Sequence, residues 1–411
     1  MVNDTDSVAI FSEGTFEEQI LELVEFIARS LPEDDRPAYI TSFKDDLKTE
    51  ESQTPLEEDE DRKRAMLVRV LDEIKLLGEG NDKEIEGFFN LVFSHILVLW
   101  SVESPETKEH ISKLLQAIAS APTERTSIRY RLLSNLFNAI PQTSPLRHSV
   151  YTVILELATK NDQLDILQLQ RATVEKWLSE WKISQDEKAQ FLKSLADAFA
   201  KAGQSSTAYE YSLSYVRTLP SNSPLAQPAA IDLVATALRL PNLFDFDSLF
   251  KLDPVIALKD HEIFSLLQVF LSGGLAELGQ WQANHAGAAE NYNLSDSALE
   301  NKIRLIVLAT LGFNNIGQNL SYAKIAEALR VENSKVEKWV IDVIRAGLLS
   351  GKLSQTTQSL YVVRSSVRTF EKEEWETLEK RILAWKSGLS GVLEVVNNAK
   401  RMAHVPQVPV A

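Results

Sequence analysis

Apolar residues recur at helical spacing through most of this 411-residue chain. In residues 16–31 they stand three or four positions apart, which places them on one face of a helix, and Pro32 ends the segment. The same pattern returns between short breaks at Pro or Gly. The further helical segments are 62–78, 83–100, 106–120, 124–140, 145–159, 163–181, 185–202, 205–219, 224–240, 260–271 and 275–284. Short breaks between helices of roughly 15–20 residues predict stacked antiparallel pairs, as in an all-α HEAT/TPR-like solenoid.

The pattern changes in residues 297–370. One helix begins at Ala298, a second covers 322–329, and a third opens at a capping box formed by Ser334 and Glu337. Two short strand patterns then follow, Lys352–Thr356 and Leu360–Arg364, joined by a turn at 357–359. Three helices followed by a hairpin are the order of a winged helix with a small β wing.

A last helical pattern covers residues 371–399. Its large apolar residues stand near heptad spacing: Trp375, Leu378, Ile382, Trp385, Leu389 and Val392. Such a seam is typical of a helix that packs in a bundle, here with partner chains. The residues that follow, with Pro406 and Pro409, indicate a loose tail.

Two features of the N-terminal half have a structural and a functional interpretation. Residues 44–61 hold nine acids against Lys44 and Lys48, which indicates either a solvated loop or an acidic docking segment. The loop is the preferred interpretation, because like charges repel one another and stay hydrated. Trp177 and Trp181 lie one turn apart, and this spacing favours core packing over a ligand platform.

The composition excludes several classes of functional site and binding partner. The chain has no cysteine, which excludes disulfides and thiolate-bound metals, and its net charge of −15 argues against a general nucleic-acid binder. None of the six histidines forms a His-x-x-x-His metal pair. The run 347–353 resembles a phosphate loop, but its spacer is too short and it follows a helix. No enzyme, cofactor, small-molecule substrate, signal peptide or membrane span is predicted.

The winged-helix region is nevertheless locally basic. Between residues 321 and 370 there are eight Lys and Arg against four Asp and Glu. RNA contact is therefore a second hypothesis, through Lys335, Lys338, Arg345 and Lys352. Against it, Glu337 and Asp342 interrupt the third helix, where a recognition helix would face phosphate.

A family resemblance rests on four stretches. They are Asp253–Leu258 with the helix after it, Tyr322–Leu329, Val336–Gln355, and Tyr361–Leu378 with its Arg368-Thr-Phe370 and Trp375-x-x-Leu378 spacing. Together they resemble the PCI domain of the proteasome lid, the COP9 signalosome and translation initiation factor 3. The last stretch looks most like the initiation factor 3 members.

The resemblance implies three regions. They are an N-terminal helical-repeat region (1–205) with an acidic loop at about 44–61, a PCI domain (206–370) with a helical part (206–295) and a winged helix (296–370), and a C-terminal helix with its tail (371–411).

It also implies a non-catalytic, cytoplasmic scaffold subunit of initiation factor 3, assembled with other PCI and MPN subunits. The complex would support recruitment of the small ribosomal subunit, mRNA and initiator tRNA. Winged helices in this family associate through their wing strands and their C-terminal helices bundle. The expected contacts are Leu360, Val362 and Arg364 on a free wing edge, and Trp375, Ile382, Trp385 and Leu389 on the helix. A signalosome or proteasome-lid scaffold remains an alternative.

Overall fold

The computed structural model describes residues 14–48, 55–167, 169–220, 222–368 and 372–403. The chain divides into two compact units at Thr218/Leu219. This division differs from the domain boundary at 205/206 that the resemblance implies. The start of the PCI domain at residue 206 stays a prediction.

Unit 1 is helical throughout its described part. Its helices are α1 (Phe16–Ala28), α2 (Arg36–Leu47), α3 (Glu60–Glu73), α4 (Asp82–Leu99), α5 (Pro105–Ala119), α6 (Thr126–Ala139), α7 (Leu146–Lys160), α8 (Arg171–Glu180), α9 (Gln185–Lys201) and α10 (Ser205–Thr218). Each packs mainly on helices one to three places away in the chain, α1 on α2 to α4 and α9 on α7 and α10. This neighbour-on-neighbour packing confirms the predicted helical repeat.

The acidic stretch 44–61 is not one loop. Its first residues end α2, which the apolar pattern did not predict because only Phe43 and Leu47 of that helix are buried. Leu56 is buried in a short 3₁₀ turn, and Asp59 caps α3. Residues 49–54 of the stretch lie outside the described residues.

The segment predicted as one helix over residues 163–181 is not continuous in the structure. It divides into a 3₁₀ turn at Leu164–Leu167 and the shorter helix α8. Trp177 and Trp181 stack with ring centroids 5.9 Å apart and contact Phe137, with Tyr151 and Phe191 completing the cluster. Trp181 is buried, so the core interpretation of the pair is confirmed.

Unit 2 begins with a helical layer and continues into a winged helix. The layer consists of α11 (Ala226–Arg239), α12 (Asp247–Phe250), α13 (Asp253–Ile256), α14 (Glu262–Ser272), α15 (Leu275–Asn284) and α16 (Ala288–Asn291). The winged helix consists of α17 (Asp296–Asn314), β1 (Asn319–Ser321), α18 (Tyr322–Leu329), α19 (Val336–Arg345), β2 (Leu349–Ser354) and β3 (Ser359–Ser365). The last helix is α20 (Lys372–Ala403). The predicted fold class is confirmed.

The winged-helix core forms between three helices and one face of the sheet. Val336, Val340 and Val343 line one side of α19 and face Leu360 and Val362 of β3 in a single buried cluster. The sheet is antiparallel with strand order β1-β3-β2, and a bulge interrupts the β2–β3 register at Ser350/Gly351. Gly351 needs its missing side chain, because an added Cβ would lie 2.6 Å from the carbonyl oxygen of Tyr361.

Three details of this module differ from the sequence prediction. The strand expected to begin at Lys352 is β2, and it begins at Leu349. The three-residue strand β1 was missed because so short a segment shows no alternation. Ser334 does not cap α19: the helix begins at Val336 after a 3₁₀ turn, and its N-cap residue Lys335 makes no side-chain cap hydrogen bond. Gly347 adopts a positive φ of 74° after α19, as a helix-ending glycine does.

Lys302 joins α17 to the helical layer. Its side chain is 4% exposed, and Nζ donates to the carbonyl oxygens of Ala237 (2.7 Å), Leu238 (3.1 Å) and Leu240 (2.6 Å) at the end of α11. The ammonium also lies 5.0 Å from the ring centroid of Phe246. Burial lowers the pKa of Lys302 to about 7, while the partial negative charge of the helix C-terminus favours its charged form.

We expect Lys302→Met to lower the free energy of unfolding by about 2–3 kcal/mol, because buried carbonyl oxygens would lose their donor. Urea unfolding of the purified chain measures the change. Lys324→Met is the matched control, since Lys324 is exposed and its loss should change stability by less than about 0.5 kcal/mol. Equal effects of the two substitutions would show that the buried ammonium contributes nothing specific.

Candidate assembly surface

The predicted contact residues fall into a buried group and an exposed group. Leu360 and Val362 are fully buried, whereas the other residues predicted to contact partners or RNA are exposed. The exposed group comprises Lys335, Lys338, Arg345, Lys352, Arg364, Trp375, Ile382, Trp385 and Leu389.

The prediction of a free edge at Leu360–Arg364 was wrong. β3 is the middle strand of the sheet, with β1 on one side and β2 on the other. Val362 donates its N–H to the carbonyl of Gln318 at 3.2 Å and accepts a hydrogen bond from the N–H of Gly317 at 2.8 Å. Its side chain points into the winged-helix core. Neither its backbone nor its side chain is open to a partner strand.

The open features of the wing lie beside these residues. β2 pairs with β3 on one side and has no strand on its other side within the described residues, so its outer edge can accept a further strand. Tyr361 and Val363 alternate with the buried residues of β3 and expose their side chains on the outer face of the sheet.

Most of the exposed large apolar side chains of the described residues lie on α20. Seven residues repeat at alternating spacings of three and four, which defines heptad positions a and d. Positions a are Trp375, Ile382, Leu389 and Val396, and positions d are Leu378, Trp385 and Val392. Trp385 is 70% exposed and Leu389 is 47% exposed. We call these seven residues the α20 seam.

The exposed apolar surface of α20 is longer and wider than the sequence predicts. Val396 stands seven residues after Leu389, so the heptad period itself could have identified it. Leu383, Leu393 and Val395 are also exposed apolar residues of this helix, but they lie outside positions a and d. A contiguous apolar strip of this length is typical of a protein–protein interface, because folded chains rarely leave such a surface in water.

Two arginines connect the end of the winged helix and α20 to the rest of unit 2. Arg368 donates from Nε to Thr310 Oγ1 at 2.8 Å and from Nη1 to the carbonyl of Gly273. Its burial lowers its pKa to about 10, which leaves it charged near neutral pH. Arg381 of α20 donates from Nη2 to the carbonyl of Phe313 at 3.0 Å and lies 4.7 Å from that ring. Phe370, at the end of the predicted module, is outside the described residues.

A basic stripe follows the exposed side of α19. Lys335, Lys338 and Arg345 share this side with Ile341, and none of the three bases forms an ion pair with another described residue. Glu337, expected to repel phosphate, is half-buried and accepts hydrogen bonds from Tyr322 Oη (3.3 Å) and Gln355 Nε2 (3.0 Å). Its carboxylate is therefore held toward α18 and the wing.

The described residues contain no group of three or more His, Asp or Glu arranged to hold a metal ion. His95 is buried in unit 1, where burial lowers its pKa to about 4 and its ring packs edge-on against Phe16 at 5.2 Å. It is neutral at physiological pH and acts in packing. No described helix is long and apolar enough to cross a membrane.

Two family models match unit 2. A model of the PCI domain matches residues 282–364, and a model of the C-terminal helix of eIF3 subunit M matches residues 368–396. The second match covers the whole α20 seam. It thus coincides with the part of the described chain that has the most exposed large apolar side chains.

Curated relatives extend the similarity along the chain. Eukaryotic translation initiation factor 3 subunit M of Phaeosphaeria nodorum is 34% identical over 310 residues, which is 73% of this chain and 70% of that protein. The proteins of the same name from Aspergillus terreus and Dictyostelium discoideum are 30% and 28% identical. The Aspergillus alignment covers 96% of this chain and 88% of the relative, and the Dictyostelium alignment covers 78% and 80%.

Proposed function

The chain belongs to the family of eukaryotic translation initiation factor 3 subunit M, and on that premise we propose that it is a non-catalytic scaffold subunit of the initiation factor 3 complex. It assembles in the cytoplasm with the other PCI and MPN subunits. Through the complex it supports recruitment of the small ribosomal subunit, mRNA and initiator tRNA.

The main support for this proposal is the exposure of the α20 seam. Over residues 375–396 a strip about 33 Å long presents apolar side chains to water. An isolated helix gains little from such a strip, whereas helices of other subunits packed at positions a and d would bury it and stabilise the complex. Trp385, Ile382 and Leu389 are the central anchors, because large apolar side chains near the middle of an interface contribute most to affinity.

The wing supplies a second contact. The outer edge of β2 replaces Leu360–Arg364 as the proposed strand-pairing edge. The exposed side chains of Tyr361, Val363 and Arg364 lie on β3, the strand on the inner side of β2. A partner strand added to β2 would satisfy backbone groups that otherwise bond to water.

Affinity purification of the tagged full chain from its own cells, followed by mass spectrometry, tests the assembly. We expect the other initiation factor 3 subunits to be recovered in comparable amounts. Recovery of signalosome or proteasome-lid subunits in their place would support the alternative scaffold and contradict the proposal. A tagged, unrelated acidic protein controls for non-specific capture.

Direct RNA contact is a second candidate function, favoured by the unpaired basic stripe of α19. Lys335, Lys338 and Arg345 occupy one exposed side, and Lys352 of β2 is also exposed. Because phosphate contacts depend on positive charge, such a stripe can hold an RNA backbone.

Reversing Lys335, Lys338 and Arg345 to Glu tests the RNA candidate. We expect ultraviolet crosslinking of the assembled complex to RNA to fall at this subunit, while recovery of its partners is unchanged. Lys83, Lys193 and Lys201, which are exposed on helices of unit 1, are reversed together as the control of equal charge change. Crosslinking that persists in the α19 variant would exclude this stripe as an RNA site.

A further inference from the structure

An apolar pocket opens among the first helices of unit 1. Its volume is about 250 Å³, and it lies between the end of α1, the segment after α3 and the first half of α4. The rings of Phe26 and Phe88, stacked with centroids 4.4 Å apart, border it together with Ile27, Leu31 and Leu76. A dry cavity of about 150 Å³ is enough to hold a benzene ring. The pocket is therefore large enough for one aromatic or large aliphatic side chain.

The pocket wall formed by the segment after α3 is held in place by the rest of unit 1. Ile74 and Leu77 are buried, and Arg125 donates from Nη1 to the carbonyl oxygen of Gly78 at 3.1 Å. Gly78 packs directly on Phe26, because an added Cβ would stand 2.6 Å from Cε1 of that ring. The pocket is thus formed before anything binds, and little conformational entropy is lost when it is filled.

Leu76 places an apolar group in water at the rim of the pocket. It is 58% exposed, and Ile27 and Leu31, which also line the pocket, are half-buried. A side chain inserted by a partner would remove apolar surface of the pocket from water, which favours binding. Large side chains seated in such pockets contribute most of the affinity of many interfaces. The pocket and its rim therefore fit a single apolar anchor.

The mouth of the pocket is acidic. Glu73 lines it, and Glu33, Asp34 and Glu79 follow closely on lining residues of α1 and of the segment after α3. All four carboxylates are exposed, and none forms an ion pair with another described residue. Lys75 is the only base among the described residues that line the pocket. The mouth can therefore accept cations from a partner.

The surrounding helices extend this negative charge. Residues 14–48 and 55–99, which contain α1 to α4, hold 20 Asp and Glu against 10 Lys and Arg. Such a surface attracts a basic protein segment and repels RNA and anionic lipid. The chain's own stretches 1–13 and 49–54, which precede α1 and follow α2, hold five acids and no Lys or Arg. They do not supply the complementary charge, so the occupant comes from another protein.

We propose that this α1–α4 pocket binds another protein through a Lys/Arg-rich segment that inserts one large apolar side chain. The inserted side chain fills the space bordered by Phe26 and Phe88, and the flanking cations lie near Glu73 and the acids that follow α1. The apolar anchor contributes most of the affinity, and the charges contribute partner selection and fast association. This contact lies wholly in unit 1 and is separate from the wing and the α20 seam.

Site-specific photocrosslinking of the full chain in its own cells tests the proposal. A benzophenone amino acid replaces either Leu76 or Val98, an exposed apolar residue of α4 that does not line the pocket. We expect the probe at position 76 to capture a protein segment with net positive charge and a large apolar residue. Ser30→Trp fills the pocket from its rim and should lower this capture about 10-fold, while any capture from position 98 is unchanged. Ser206→Trp, at an exposed position of α10, is the matched control and should change neither.

The captured segment, synthesised as a peptide and titrated against the purified chain, separates the two parts of the recognition. We expect replacement of its large apolar residue by Ala to weaken binding about 10-fold. Glu33→Lys combined with Glu73→Lys should also weaken binding, and less so at high salt than at low salt. No capture from position 76, or capture that Ser30→Trp leaves unchanged, would overturn the proposal. Capture of RNA, of an acidic segment or of a second copy of this chain would overturn it as well.

Discussion

Val362→Asp is expected to unfold the winged-helix module. Val362 is fully buried between the sheet and α19, and both backbone hydrogen-bonding groups of the residue are used within the wing. A carboxylate placed there loses its hydration and finds no cation in the apolar cluster, which costs about 4 kcal/mol or more. That is a large fraction of the stability of a typical domain. Loss of near-ultraviolet circular dichroism and a lower urea midpoint would measure it.

Val363→Asp is the matched control for this prediction. The neighbouring side chain is 52% exposed on the outer face of the sheet, so an aspartate there stays hydrated. We expect its cost to remain below about 1 kcal/mol. If Val362→Asp left the fold intact and only weakened assembly, the assignment of β3 as the middle strand would be contradicted.

Leu389→Asp is expected to release the chain from its complex without unfolding it. Leu389 lies at position a of the α20 seam, and its side chain is half-exposed in the isolated chain. The free chain therefore tolerates the charge. In a bundle the same carboxylate would be buried among apolar side chains, and a cost of about 3 kcal/mol lowers affinity roughly 100-fold.

Ser387→Asp places the same charge two residues away on the polar side of α20. We expect the tagged Ser387→Asp chain to recover its partners as well as the unaltered chain does, and the Leu389→Asp chain to lose them at equal expression. Equal recovery by both variants would mean that the α20 seam does not join this subunit to the complex.

Much of the fold could be predicted from the sequence because the signals are local. Helical periodicity identified most helices of unit 1, and Gly347 marked the end of α19. The misses have physical causes. Helix α2 buries only Phe43 and Leu47, so it carries almost no periodic signal. Strand β1 has three residues, and its pairing with β3 joins positions about 40 residues apart.

The part of the assembly surface that lies on one helix could be predicted from the sequence. The part that depends on which strands pair with one another could not. The heptad spacing of Trp375 to Val392 is a property of the sequence, and the structure shows those residues exposed. The prediction of a free edge at Leu360–Arg364 was wrong because strand order is a tertiary property. A hairpin pattern cannot reveal that β1 pairs with the other side of β3. The hydrogen bonds of Glu337 could not be predicted either, because its partners come from α18 and from beyond β2.

Hydrogen–deuterium exchange of the backbone amides, compared between the purified chain and the assembled complex, tests without any substitution whether α20 joins this chain to other subunits. We expect the amides of residues 375–396 to exchange markedly more slowly in the complex, while those of the buried winged-helix residues Val340 and Val343 exchange alike in both. Equal exchange of residues 375–396 in the free chain and in the intact complex would show that α20 does not join this chain to other subunits.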